Sequence, residues 1–361
     1  MDKLQQARKQ INEIDEKLAK LFEKRMDAVK LVAEHKREHS LPVLNTTREQ
    51  EVVKRGLEYI ESPDIKDYYV NFAKHTMELS KQYQRRILSG HKVAYCGVEG
   101  AFAHIAATRI FKQAEYFKYD SFSSAYKAVE SGECDCAVLP IENSYSGDVD
   151  HVMDLGFFGS LYISGIYDLD ITQNLIGLKG THASEIKTVI SHPQALSQCA
   201  EYIKEHNLEK IESSNTAVSA KHVLELGDKT VAAIASEETA KLYGLEVLDR
   251  AINQSRTNST RFAVFTRTLQ QSENCNRFIM YFTVRHEAGS LSKAIAVFAE
   301  NNLNLQALKS RPTKGENFVY YFYVEGEGNL AGDSGKVIID KLKKQCDNLK
   351  VIGIYDKELK I

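Results

Sequence analysis

Cysteine is sparse: six residues in 361 are too few for a disulfide scaffold. Cys134 and Cys136 form a C-x-C, but no second pair stands at zinc spacing. With Val138 they alternate as a buried strand does, so they read as core residues in a reducing compartment. No apolar run approaches the ~20 residues of a membrane span. The opening Met1-Asp2-Lys3-Leu4-Gln5-Gln6 lacks the apolar stretch of a signal peptide. A cytoplasmic protein with no membrane partner is expected. A strong charge of one sign is missing too: the net charge is −2, which points to no nucleic acid or other polyanion. There is no G-x-G-x-x-G, no metal-ligand spacing and no G-x-S-x-G elbow. Neither a nucleotide cofactor nor a metal is expected, and the cofactor expectation is none.

Residues 2–40 lack both glycine and proline. An unbroken helix of that length would run roughly 58 Å, too long to stand without a partner helix. Leu4, Arg8, Ile11, Asp15, Leu18, Phe22, Arg25, Val29, Val32 and Lys36 follow at spacings of four and three, the rhythm of a packed seam. Charged residues on such a seam are costly unless paired or serving a ligand. Three cations against one carboxylate leave positive charge facing inward, which suits a dianionic guest; a register-fixing salt-bridge network is the plainer alternative. Pro42 ends this helix. Thr46-Thr47-Arg48-Glu49 opens a second with capping-box spacing, so Glu49 also has a structural explanation. Pro63 precedes a third, where Ala73, Met77, Ser80, Gln84 and Ile87 repeat the rhythm. The seam therefore encloses a polar pocket. Residues 1–90 carry 18 Lys+Arg against 15 Asp+Glu, and the rest 29 against 34.

This three-helix pattern resembles the all-helical chorismate mutase family over the whole segment. The resemblance implies an intertwined homodimer, or a dimer of dimers, in which Arg8 reaches the partner subunit's site. It implies that Arg25 and Arg48 hold the substrate carboxylates and that Lys36 and Gln84 bond the ether oxygen. Glu49 would take the ring hydroxyl, with Asn45 and Ser80 completing the pocket.

After Ser89-Gly90-His91, a hinge by sequence, strand and helix patterns alternate. Val93–Cys96, Cys136–Pro140, Thr188–Ile190 and Val231–Ala235 read as strands of parallel sheets with flanking helices. Two lobes with a cleft between them are expected. Polar turns follow these strands: Glu142-Asn143-Ser144, Ser191-His192-Pro193-Gln194, Ser213-Ser214-Asn215-Thr216 and Ser236. Each alone is an ordinary helix cap; together they could line a cleft. His192, before a proline, reads as a cap or a cleft wall rather than a base. Gly97-Val98-Glu99-Gly100-Ala101-Phe102-Ala103-His104, Pro140-Ile141-Glu142-Asn143-Ser144, Ser191-His192-Pro193-Gln194-Ala195-Leu196 and Thr260-Arg261-Phe262 occur in that order. They resemble prephenate dehydratase, whose fold is two-lobed and periplasmic-binding-like. The resemblance implies that Thr260 assists departure of the ring hydroxyl of prephenate, with Asn143, Ser191 and Gln194 positioning it or the substrate. Ser144 and Thr216 would add to the lining. Arg261 could hold a carboxylate or be structural.

Past the polar linker Gln270-Gln271-Ser272-Glu273-Asn274, Phe278, Met280, Phe282 and Val284 alternate as a half-buried strand. Leu291–Phe298 and Lys336–Cys346 read as helices; Leu303–Leu305, Phe318–Val324 and Val351–Tyr355 read as strands. The order βαββαβ is ferredoxin-like. Gly289-Ser290-Leu291 and Leu308-Lys309-Ser310-Arg311-Pro312 resemble the ACT regulatory domain, although Ser290 and Lys309 depart from its usual residues. The implied effector is phenylalanine, held by Gly289, Ser290, Leu291, Asn302, Leu303, Ser310 and Arg311.

The expected organisation is thus a helical mutase bundle over 1–90, an α/β dehydratase over 91–268 and an α+β regulatory domain over 275–361. Chorismate would become prephenate and then phenylpyruvate. Two alternatives stay open: a non-catalytic amino-acid-binding regulator with a helical dimerisation arm, and an enzyme with one of its two sites inactive.

Overall fold

The structure is a computed structural model describing residues 2–39, 41–255, 257–269, 275–313, 320–356 and 359–361. The chain forms two compact units, Met1–His91 and Lys92–Ile361. No helix among the described residues is long and apolar enough to cross a membrane.

The first unit holds α1 (Lys3–Glu38), α2 (Thr46–Leu57) and α3 (Lys66–Ser89). With nothing to interrupt it, α1 runs 36 residues, about 54 Å. Asp2 caps its start by accepting from the Leu4 N–H at 3.5 Å. The cap of α2 is Asn45, which accepts from the Arg48 N–H at 3.0 Å. The expected Thr46–Glu49 capping box therefore does not form; Glu49 instead meets Lys81 at 2.9 Å. On α3, Ala73, Met77, Ser80 and Gln84 are all buried, as their spacing requires. The first half of α1 departs from expectation. Leu4 and Ile11 are 55% exposed and Leu18 is 45% exposed, and Ala33 is the helix's one buried residue.

The chain continues with β1 (His91–Cys96), which begins at the last residue of the first unit, then α4 (Phe102–Ile110), β2 (Ala114–Tyr119), α5 (Phe122–Glu130), β3 (Cys136–Asn143), β4 (Gly147–Asp148), α6 (Asp150–Phe158) and β5 (Tyr162–Asp170). His91, expected in the hinge, already belongs to β1. The chain then builds β6 (Asn174–Gly177), β7 (Thr188–Ser191), α7 (Pro193–Gln198), α8 (Ala200–Glu205), β8 (Glu209–Glu212), α9 (Thr216–Leu226), β9 (Val231–Ala235), α10 (Glu237–Tyr243) and β10 (Glu246–Asp249). It returns through β11 (Ser259–Thr266) to the first sheet.

These strands make two sheets, as the expected pair of lobes requires. The smaller has the order β10-β6-β9-β7-β8. Both sheets are mixed rather than parallel. In the larger, β1 and β3 run parallel, but β11 runs antiparallel to both β3 and β5. The reason is topological: β5 leaves the first sheet and β11 re-enters beside it, with Asp170 paired to Ser259. Alternating side chains fill opposite faces of the larger sheet: Ala94, Ala137 and Leu139 on one, Val93, Tyr95 and Val138 on the other. Cys134 and Cys136 are free thiols in this core, 1% and 2% exposed.

The rest comprises β12 (Arg277–Thr283), α11 (Ser290–Glu300), β13 (Asn304–Pro312), β14 (Tyr320–Glu327), α12 (Gly332–Lys343), β15 (Asn348–Tyr355) and β16 (Leu359–Lys360). The strand order β13-β14-β12-β15 continues into β5. The join uses Gly353 against Ile163, with Leu359 and Lys360 against Tyr167 and Asp168. Strand β12 is buried on both faces, not one. Phe278, Met280 and Phe282 pack with Ala294, Phe298 and Leu342, while Ile279 and Tyr281 pack with Val152 and Met153 of α6. The expected alternation fails because the reverse face is covered by α6 and its neighbours. Gly156 permits the approach: a Cβ there would lie 2.6 Å from the Tyr281 hydroxyl. The expected linker Gln270–Asn274 and the strand start at Phe318 lie outside the described residues.

Candidate active sites

A cavity of about 420 Å³ lies in the three-helix unit. Arg25, Lys36, Asn45, Arg48, Glu49, Ser80 and Gln84 all line it. Arg8 does not; it sits exposed on the first half of α1. Lys36 Nζ donates to the Val43 carbonyl at 2.6 Å and to Gln84 Oε1 at 3.1 Å. Arg25 donates to Ser80 Oγ, which in turn donates to the Thr76 carbonyl at 2.7 Å. Among the described residues neither Arg25 nor Lys36 has a carboxylate within 4.0 Å. A salt-bridge network therefore does not account for them. Burial lowers the pKa of both. Arg48 differs, since Glu51 holds it at 3.0 Å from one turn away. Lys81, which sequence reasoning did not single out, also lines the cavity and bridges Glu49 and Glu78 at 2.9 Å each. His35, Glu38 and His39, all exposed, bring metal-ligating atoms within 4.8 Å of one another, but none lines this cavity.

In the second unit a cleft of about 350 Å³ is lined by strand ends of the larger sheet on one side and by turns and helices around the smaller sheet on the other. Asn143 ends β3 and Thr260 faces it across the ladder on β11. Gln194 enters from α7 and Thr216 from α9. His192 is both the α7 cap, accepting from the Gln194 N–H at 3.2 Å, and part of the lining. Gly97 and Gly100, both at positive φ, carry the turn between β1 and α4; Gly97 lines the cleft.

The orientation of the Asn143 amide follows from its neighbours. Its Oδ1 accepts from the backbone N–H groups of Tyr145 and Ser146, each at 3.0 Å. Those groups can only donate, so Nδ2 points the other way. It donates towards Asn258 Oδ1 at 3.0 Å, the Ser259 carbonyl at 3.0 Å and Thr260 Oγ1 at 2.9 Å. Thr260 Oγ1 is thus an acceptor from Asn143, and its own proton is left for a group in the cleft. Gln194 Nε2 donates to Ser146 Oγ at 3.0 Å and Asn143 Oδ1 at 3.3 Å, completing the arrangement.

Three expected cleft residues lie elsewhere. Ser191 is fully buried and donates to the Ile234 carbonyl at 2.7 Å, tying β7 to β9. Ser144 ties β3 to the approach to β11, donating to the Thr257 carbonyl at 3.2 Å and accepting from the Ser259 N–H at 2.9 Å. Arg261, one residue past Thr260, projects from the opposite face of the strand. There it meets Glu142 at 2.9 Å and the buried Glu325, so it is occupied by the chain's own carboxylates. Burial alone would push the Glu142 carboxyl up, but hydrogen bonds from Arg261 and Lys309 hold it below the usual range.

Sequence reasoning missed Ser146, Gln173 and Gln198, all in the lining. Ser146 was reachable as part of the same polar turn as Asn143. Gln173 carried no signal, being a single amide beside an apolar strand.

Of the expected effector residues, Gly289 caps α11 at a φ of 85° and Ser290 and Leu291 open that helix. Asn302, also at positive φ, and the buried Leu303 follow it, and Ser310 lies on β13. Arg311 does not stand open to an effector. It is paired with Asp150, with Asp154 at 3.1 Å and with the Tyr321 hydroxyl at 3.0 Å, because β13 runs against α6.

A bundle cavity with two carboxylate-free cations, suited to an anionic guest, and a two-lobed cleft with a directed hydroxyl define a protein with two small-molecule sites. Sequence comparisons give this class a family. The family model described as chorismate mutase type II matches residues 7–85, and that described as prephenate dehydratase matches residues 93–270. The bifunctional chorismate mutase/prephenate dehydratase of Aquifex aeolicus is 30% identical over 366 residues, covering 99% of each chain. That of Escherichia coli is 30% identical over 368 residues, covering 97% of this chain and 95% of its own. A prephenate dehydratase from Arthrobacter aurescens, solved with L-phenylalanine, superposes with a TM-score of 0.67 at 26% identity, over 74% of this chain and 90% of that one. The chain belongs to the bifunctional chorismate mutase/prephenate dehydratase family.

Proposed function

We propose that the chain performs two successive reactions of phenylalanine biosynthesis in the cytoplasm, with residues 1–90 as the mutase, 91–268 as the dehydratase and 275–361 as an ACT-type regulatory domain. The observation that carries the reading is the Asn143–Thr260 pair in one cleft, together with unneutralised Arg25 and Lys36 in the other.

The rearrangement of chorismate to prephenate is unimolecular. It needs a folded conformer and donors aimed at the oxygen that gains charge. Arg25 and Arg48 would take the carboxylates. Lys36, held between Val43 and Gln84, would donate to the ether oxygen as its bond breaks. Glu49, Asn45 and Ser80 would fix the remaining polar edge. A partner subunit's Arg8 would complete the site in a homodimer, a reading the exposed first half of α1 favours.

In the dehydratase step prephenate loses carbon dioxide and its ring hydroxyl, giving phenylpyruvate. Aromatisation drives the step, so the enzyme's task is to assist departing hydroxide. Thr260 donates to that oxygen, Asn143 sets the direction of the donation, and Gln194 braces Asn143. Thr216 and Ser146 add polar contacts.

Phenylalanine would bind the C-terminal segment and inhibit, through Gly289, Ser290, Leu291, Asn302, Leu303 and Ser310. The segment's βαββαβ order and the phenylalanine complex of the Arthrobacter relative support this. Incubating the protein with chorismate and following prephenate and phenylpyruvate tests both chemistries at once; no phenylpyruvate from supplied prephenate would overturn the dehydratase assignment.

A further inference from the structure

Asn143 and Ser146, two residues of the dehydratase cleft, sit on one small hairpin. Its arms are the end of β3 and the two-residue β4, paired Glu142 to Asp148 and Asn143 to Gly147. Within the hairpin the Tyr145 and Ser146 N–H groups hold the turn on Asn143 Oδ1, and Ser144 ties it to Ser259. On the face turned away from the cleft, Lys309 of β13 reaches both arms: its Nζ lies 3.1 Å from Glu142 and 2.5 Å from Asp148. The same ammonium stands 5.7 Å from the centre of the Tyr323 ring on β14. Tyr323 donates to Glu325 at 3.0 Å, and Glu325 binds Arg261. Arg261 closes the circuit on Glu142 at 2.9 Å.

The circuit lies directly behind the reacting pair. Thr260 and Asn143 are cross-strand partners, and so are Arg261 and Glu142 one position along. Immediately beyond, the β3–β11 register slips between Arg261 and Phe262. Such irregularities re-aim side chains beside active sites and leave the local ladder weak. The ionic cluster stands beside this irregularity.

The geometry points to Lys309 as a positioning residue for the dehydratase reaction: it clamps the β3–β4 hairpin from the C-terminal sheet and so holds Asn143 at the distance from which it directs the Thr260 hydroxyl. This rests on the dehydratase reading given above. Lys309 touches nothing in the cleft and is not a catalytic residue. Its effect is to make the alignment of the reacting pair depend on where β13 sits. An approach error of an ångström in such a pair costs up to about a hundredfold in rate.

The test uses the full chain and its two activities. Lys309→Met should lower dehydratase kcat by roughly tenfold or more, in line with that sensitivity. KM for prephenate should stay within about twofold, because no contact to substrate is lost. Mutase turnover in the same preparation should be unchanged, which controls for folding and concentration. Lys309→Arg should restore most of the rate, and Asp148→Asn, which removes one arm of the clamp, should fall between. Unchanged dehydratase kcat in Lys309→Met, or an equal fall in both activities, overturns the proposal. Absence of dehydratase turnover in the unaltered protein would instead overturn the reading it rests on.

Discussion

Thr260 and Asn143 face each other across the β11–β3 ladder with 2.9 Å between Oγ1 and Nδ2. Two backbone N–H groups fix which end of the amide faces the threonine. Asn143→Asp would replace a donor with an acceptor, and the Thr260 proton would turn to the new carboxylate. Dehydratase kcat should fall by about a hundredfold or more, the usual loss when a transition-state donor is misdirected. Thr260→Ala should fall comparably, whereas Thr260→Ser should keep measurable turnover. Steady-state kinetics with prephenate checks all three.

In the proposed mutase site Lys36 must be protonated to donate to the ether oxygen. Burial lowers its pKa from the ordinary 10.5. Mutase kcat/KM, which follows the free enzyme, should therefore decline as pH rises, with a midpoint below 10.5 rather than at it. Lys36→Ala should reduce turnover by about a hundredfold or more at neutral pH, with the helical circular dichroism retained.

Arg261 is engaged by Glu142 and Glu325, so its loss should lower stability rather than weaken binding. Arg261→Leu would strip the buried Glu325, 1% exposed, of its guanidinium. Stranding a buried charge costs on the order of 3 kcal/mol or more. Thermal unfolding of the second unit should shift downward well before KM for prephenate changes.

Glu142 carries a pH signature. Its folded pKa lies below the ordinary 4.5. The stability it contributes is therefore complete above 4.5 and is lost as pH falls through the depressed value. The difference in urea midpoint between the native protein and Glu142→Gln should be present at pH 7 and vanish in acid.

Gly100 tests the turn before α4. Its φ is 87°, and an added Cβ would lie 3.0 Å from Leu242 Cδ2. Gly100→Ala should cost about 1–2 kcal/mol from the left-handed backbone, read by chemical denaturation.

The bundle and its cavity were legible because helical spacing puts Arg25, Lys36, Ser80 and Gln84 on inner faces whatever the details of the turns. The two lobes were legible from strands such as Val231–Ala235, which matches its observed bounds. The direction of β11 was not, since nothing local in Ser259–Thr266 records that it re-enters beside the strand by which the chain left. Ser191 turns away from the cleft, and of the two roles open to Arg261 the pairing with Glu142 and Glu325 is the one formed. Polar residues next to a cleft residue read alike in sequence, but strand alternation or a nearby carbonyl turns them away from it. The exposure of Leu4 and Leu18 depends on what covers α1, which a single chain's pattern does not specify.

The C-terminal sheet meets β5 through three residue pairs: Gly353 with Ile163, Leu359 with Tyr167 and Lys360 with Asp168. Most of the remaining contact is made by separate side chains, among them Tyr281 to the Met153 carbonyl, Lys350 to the Gly156 carbonyl and Arg311 to Asp154. A long ladder would weld the two regions and could only be kept or broken. Individual rivets can be loosened one at a time, so this lineage could retune how strongly one end of the molecule feels the other by single substitutions, without giving up either fold.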